Sequence, residues 1–221
     1  MNILAIDTST EACSAALLRA DGEIFGELEV APRQHTRLLP AMMERVLEAA
    51  AVSRNALTHC AFANGPGAFT GIRIAAAQAQ GIGIALDIPL LPVSTLAVLA
   101  QTGIDRLGCC KPLTALDARM QEIYWAVYRQ DEQGLASLVG SERLSPPERI
   151  EFDETVDCGL GHGWVESLSR TADFAIEAEM LPDARSMLKL AAAAARERRG
   201  VAASVAGINY LRNRVAEKAA S

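Results

Sequence analysis

The chain has 221 residues and 23.5 kDa, 50% of them hydrophobic, with 21 Lys+Arg against 27 Asp+Glu and a formal net charge of -6. That length can bury the core of one domain or of two small lobes, the apolar content excludes a disordered chain, and the acidic balance excludes a broad autonomous nucleic-acid-binding face. No cationic leader followed by an apolar run opens the sequence, and no apolar stretch reaches the roughly 18 residues of a membrane span, which predicts a cytoplasmic protein.

Residues 2–7 (NILAID) form an apolar run of strand length, followed by Thr8-Ser9-Thr10, whose hydroxyls favour a turn. Residues 13–19 read as a second strand, Asp21-Gly22 as a hairpin turn and 23–30 as a third strand with alternating character. Three antiparallel strands therefore open the fold. From 35 to 51, Leu38, Leu39, Met42, Met43, Val46, Leu47 and Ala50 recur at helical spacing, with Pro40 either in the first turn or kinking the helix. Residues 58–63 are a short strand leading into NGPGAFTG.

In that loop Gly65, Gly67 and Gly71 permit crowded backbone and Pro66 fixes φ, so a rigid turn is expected to feed the helix at 72–86. This helix is apolar almost all round: its polar side chains are Arg73, Gln78 and Gln80, while Ala75, Ala79 and Gly83 form one i,i+4 row and Ala77, Gly81 and Ala85 another. Such a helix must be covered on more than one side, by its own sheet and by a second helix or another chain. The reading takes Ala75, Ala79 and Gly83 as contact positions where added bulk would block association and spare the monomer. A strand at 90–93 follows, then Ser94 as N-cap of a helix at 95–101.

Residues 102–111, rich in Gly, Cys and charge, are read as the boundary between a first lobe, 1–101, and a smaller second lobe of related topology, 102–221. Strands at 112–117, 123–129 and 135–141 repeat the opening meander. Pro146-Pro147 starts a short helical or irregular stretch, 155–159 is a strand before Gly161-His162-Gly163, and 184–199 is an alanine-rich helix ending in Arg196, Arg198 and Arg199. This helix and the tail at 208–218 are read as returning to the first lobe. The five cysteines, Cys13, Cys60, Cys109, Cys110 and Cys158, show no C-x-x-C and fit reduced thiols.

The β-β-β-α-β-α unit that begins Asp-Thr-Ser-Thr and recurs in reduced form resembles the actin, sugar kinase and Hsp70 ATPase superfamily, a duplicated ribonuclease H-like α/β fold. More closely, IDTST (6–10), NGPGAFTGIR (64–73), VSTL (93–96), LDARMQEIY (116–124) and NYLRN (209–213) together resemble the TsaB family, also called YeaZ. That resemblance implies a noncatalytic subunit in the formation of N6-threonylcarbamoyladenosine in tRNAs reading codons that begin with A. It implies a TsaD-like catalytic paralogue and a TsaE-like ATPase as partners. The apolar helix face predicts a homodimer in isolation, the acidic balance predicts tRNA contact mainly through the complex, and no resident cofactor is expected. The resemblance also implies pairing through the first two helices, here through His35, Leu38, Leu39, Met42, Met43, Val46, Arg73, Ala75, Ala76, Ala79, Gln80 and Gly83.

The chemistry-bearing residues each have two readings. Asp7, Thr8 and Ser9 stand where superfamily ATPases hold Mg2+ and phosphate, with Gly161 as a facing glycine, yet an Asx/ST turn explains the first three and a strand-to-helix turn the last. The loop Gly65, Pro66, Gly67, Phe69, Thr70 and Gly71 either seats Phe69 and positions the helix or, with Arg73, binds an anion. It lacks the Lys-Ser/Thr ending of a P-loop. His35 lies where the catalytic paralogue carries a metal-binding H-x-x-x-H pair, but Leu39 takes the second position. Asp117 and Arg119 form either an acid/base pair or a local salt bridge, and Arg196, Arg198, Arg199, Arg212 and Arg214 either touch tRNA or are solvated. The rival enzyme readings are an ATP-dependent phosphotransferase and a metalloprotease.

Overall fold

A computed structural model describes residues 1–212. Its first sheet has the order β3-β2-β1-β4-β5, built from β1 (Ile3–Asp7), β2 (Ala12–Leu18), β3 (Ile24–Val30), β4 (His59–Ala63) and β5 (Leu90–Val93). The second has the order β10-β9-β6-β7-β8, from β6 (Pro112–Asp117), β7 (Ile123–Gln130), β8 (Ala136–Ser145), β9 (Cys158–Leu160) and β10 (Ala175–Glu177). In each, an antiparallel meander of three strands is extended by two parallel strands laid beside the first: β1-β4-β5 in one, β6-β9-β10 in the other. The duplicated α/β architecture expected from the sequence is present.

Side-chain alternation distributes the core. Leu4 and Ile6 of β1 point to one face, where they meet Leu39, Met42 and Val46 of α1 (His35–Ala49) and Ala75, Ala76 and Ala79 of α2 (Phe69–Leu86). Ile3 and Ala5 point to the other and meet Val98 of α3 (Thr95–Leu107) with Ala184, Met187, Leu188 and Ala191 of α5 (Ala184–Arg196). Strands covered on both faces read as near-continuous apolar runs, as β1 does from Ile3 to Ile6. The helix near the C-terminus thus closes the sheet built by the first hundred residues. A short α4 (Glu166–Ser169) lies beyond β9.

Two local readings are corrected. The stretch 102–107, taken as linker, is the second half of α3. Gly103 leaves room for Leu160 to pack against the helix, and the Thr102 hydroxyl donates to Val98 O at 2.8 Å, so residues that look like helix breakers are absorbed by tertiary contact. The cysteines are not all reduced: Cys109 and Cys158 form a disulfide, while Cys13 and Cys60 are buried thiols and Cys110 is exposed. The bridge follows from parallel pairing of β6 with β9, which sets Cys158 opposite Pro112, a long-range register that spacing cannot disclose. Closing a loop of 49 residues restricts the unfolded chain by about 4 kcal/mol. Arg214 and Lys218 lie outside the described residues.

Candidate functional site

The loop before α2 is packed backbone to backbone against the turn after β1. Ala68 N–H donates to Ser9 O at 2.8 Å, and the Thr8 hydroxyl donates to Gly71 O at 2.7 Å. A Cβ on Gly67 would meet Ser9 O, and one on Gly71 would meet Thr8 O, so both glycines are required by close approach. The Gly65-Pro66 peptide is cis. Loop and turn fix where α2 begins, and the helix starts at Phe69, earlier than periodicity placed it.

Asp7, Thr8 and Ser9 are all buried, Asp7 to 2% exposure. Asp7 Oδ1 accepts from Ser9 N–H at 2.7 Å and from Ser9 Oγ–H at 2.6 Å, the geometry of an Asx turn, and Oδ2 has no partner. Burial outweighs the Ser9 bonds and pushes the carboxyl up from 3.8 to about 7. Because the folded value is raised, the stability linked to Asp7 is fully present below its unfolded value and is lost as pH climbs through about 7. Asp7→Asn keeps the acceptor toward Ser9 without the charge. Its stability advantage over the native chain is expected to grow by about 3 kcal/mol between about pH 5 and about pH 8, read from urea melts at the two values.

Gly161 lies in the turn after β9 and packs on Ala115 O and Leu99, while the neighbouring His162 accepts from Asp117 N–H through Nδ1 at 3.1 Å and approaches Glu11 at 3.8 Å. Asp117 and Arg119 form an exposed ion pair of 3.0 Å, with Asp117 Oδ1 also accepting from Arg119 N–H at 2.7 Å. Arg212 is engaged by Glu122 at 2.7 Å and Ala118 O at 3.2 Å, so of the arginines considered for RNA it is held within the fold.

The two small-residue rows of α2 face opposite ways. Ala75, Ala76, Ala79 and Gly83 point inward, and a Cβ on Gly83 would press on Leu90 and Ala203. The expectation that bulk at Ala75, Ala79 or Gly83 spares the monomer is corrected: this row belongs to the chain's own core. The row Ala77, Gly81 and Ala85 faces outward with Ile84, which is 74% exposed, and a Cβ on Gly81 would meet nothing within 4 Å. On α1, His35, Leu39, Met42, Met43 and Val46 are likewise buried, with His35 Nε2 3.2 Å from Ala12 O, and Leu38 is half-buried. Gln80 donates to Ala206 O at 2.9 Å. Arg73 lies over the Phe69 ring at 3.2 Å and the Tyr210 ring at 5.3 Å and donates to Phe69 O at 2.9 Å, while Phe69 and Thr70 are exposed.

The sequence reading passed over Glu142. This β8 carboxylate accepts from Tyr128 OH and Asn209 Nδ2, both at 2.8 Å, and from the Ser94 hydroxyl, which also caps α3. Three of the motifs that carried the resemblance, around Asn64, Ser94 and Asn209, meet at this point. Within its own stretch, GSERLS, Glu142 reads as an ordinary solvated charge.

A family model described as TsaD, tRNA N6-adenosine threonylcarbamoyltransferase, matches residues 29–220. The tRNA threonylcarbamoyladenosine biosynthesis protein TsaB of Escherichia coli is 37% identical over 99% of this chain and 97% of its own length, and the protein of that name from Haemophilus influenzae is 32% identical over 99% and 96%. The solved structure of YeaZ from Pseudomonas aeruginosa is 42% identical and superposes with a TM-score of 0.90, covering 95% of this chain and 99% of that one. With such identity along nearly its whole length, and with the loop, cap and C-terminal motifs converging in space, the chain belongs to the TsaB (YeaZ) family.

Proposed function

We propose that the chain is a noncatalytic docking subunit for the formation of N6-threonylcarbamoyladenosine in tRNAs reading codons that begin with A. It binds a TsaD-like catalytic paralogue and works with a TsaE-like ATPase. The observation that carries this reading is the outward row of α2, where Ala77, Gly81 and Ala85 leave backbone accessible beside the exposed Ile84. Small residues let a second helix approach closely, and an exposed apolar side chain beside them favours burial against a partner. The same face serves a homodimer when the partner is absent.

The chemistry near Asp7 supports docking over catalysis. Its carboxyl is buried, bonded within its own turn and raised to about 7, so that a large share of it is neutral near pH 7, poorly suited to gripping a cation. His35 has Leu39 where the paralogue carries a second histidine, and its ring faces the Ala12 carbonyl.

Reconstitution tests the proposal. This chain, a TsaD-like protein, a TsaE-like ATPase and the enzyme supplying the threonylcarbamoyl donor are mixed with unmodified tRNA, and the modified nucleoside is measured by mass spectrometry. Product is expected with the full set, is expected to be lost when this chain is omitted, and is expected to survive Asp7→Asn. Turnover of Mg-ATP by the isolated chain, abolished by Asp7→Asn, would instead establish the phosphotransferase reading.

A further inference from the structure

We infer that residues 207–212 act as a pin seated between the C-terminal ends of β4 and β5, and that Glu142 is the positioning residue that ties this pin, and with it the second sheet, to the loop that starts α2. The functional meaning of this pin rests on the docking reading. Its mechanical role does not.

The chain leaves β4 for α2 on one face of the first sheet and leaves β5 for α3, whose Val98 packs on the other face. Connections that diverge to opposite faces open a crevice at the strand ends, the place where open α/β sheets accept ligands. Here the chain's own C-terminal segment lies in it. Asn209 N–H donates to Asn64 O at 2.8 Å, and Asn209 O would stand 2.8 Å from a Cβ on Gly65. The crevice wall is closed by Thr95 N–H donating to Gly65 O at 2.9 Å, and Asn64 Oδ1 and Thr95 Oγ1 are buried there without partners.

The other side of the pin is held by the second sheet. Asn209 Nδ2 donates to Glu142 Oε2, while Tyr128 OH and Ser94 Oγ–H saturate Oε1. Burial and the Glu142 charge push the Tyr128 hydroxyl well above its ordinary value, so it remains a donor to the carboxylate. Tyr210 flanks Arg73 in the second turn of α2, and Arg212 anchors on Glu122 and Ala118 O in the β6–β7 turn. A shift of the second sheet is therefore transmitted to the loop that sets the start of α2 through Glu142 and the Asn209 carboxamide, with Arg212 as a second tether farther along the pin.

Amide hydrogen exchange on the full chain, read at the Ala68 amide that donates to Ser9 O and at the residue 209 amide that donates to Asn64 O, tests the pin with Glu142→Ala, Asn209→Ala and the double variant. Each single change is expected to accelerate exchange by about tenfold or more, as expected on losing a hydrogen bond to a charged group. The double variant is expected to exchange no faster than the faster single one, because both break the same link. Unchanged protection, or acceleration in the double variant equal to the product of the singles, would overturn the inference. Glu142→Gln keeps the shape and serves if the alanine variant does not fold; it is expected to show a smaller acceleration, and none would overturn the inference. A loosened loop with unaltered capture of the TsaD-like protein would support the pin and overturn its role in docking.

Discussion

Gly81→Arg is expected to weaken capture of the TsaD-like partner by about a hundredfold or more while leaving the monomer as stable as the native chain. Gly81 lies on the outward row of α2, where a Cβ meets no neighbour within 4 Å, so the fold has room for the new side chain. Glycine within a helix costs up to about 1 kcal/mol relative to other residues, so the change adds local helical stability. Against a second helix the outcome reverses: a long charged side chain holds the two backbones apart and loses its hydration. Gly81→Ala provides the control, with a stability gain of about 0.5–1 kcal/mol and only a modest loss of binding. Calorimetric titration with the partner, alongside thermal melts of the chain alone, reads both effects. Equal affinity for native and Gly81→Arg chains would remove this face from the assembly.

Gly71→Ala is expected to act in the opposite sense, destabilising the chain by at least about 3 kcal/mol in urea melts whether or not a partner is present. Its added methyl collides with the Thr8 carbonyl oxygen, and that oxygen cannot withdraw easily. Thr8 is wholly buried, its hydroxyl is bonded back to Gly71 O, and the next two links of the same turn are the Ser9 bonds to Asp7 and to Ala68 N–H. One methyl therefore forces apart the first strand's turn and the start of α2. Together the two substitutions separate a glycine kept for the fold from a glycine available to a partner.

The elements with local signals were readable from the chain: the opening meander with Asp21-Gly22, the helical stripe of α1, the glycine loop and the Ser94 cap. The extra half of α3 was not, because Thr102 and Gly103 look like a break unless Leu160 is known to lie against them. The two faces of α2 were unreadable for another reason. Both rows are alanine and glycine, so periodicity revealed two candidate surfaces and no means of ranking them, and only the packing of β4 beneath Ala75 and Ala79 does so. Glu142 draws its partners from 14, 48 and 67 residues away, a constellation with no local trace. The pairing of Cys109 with Cys158 depends on a strand register of the same long range.

The placement of α5 on the first sheet sets a problem for the nascent polypeptide. On the ribosome, Ile3, Ala5, Ala16, Ala61 and Ala63 emerge long before Met187, Leu188 and Ala191, which will cover them. At a synthesis rate of about 5–20 residues per second, that oily underside stays bare for several seconds, a window in which a chaperone or another nascent chain can reach it.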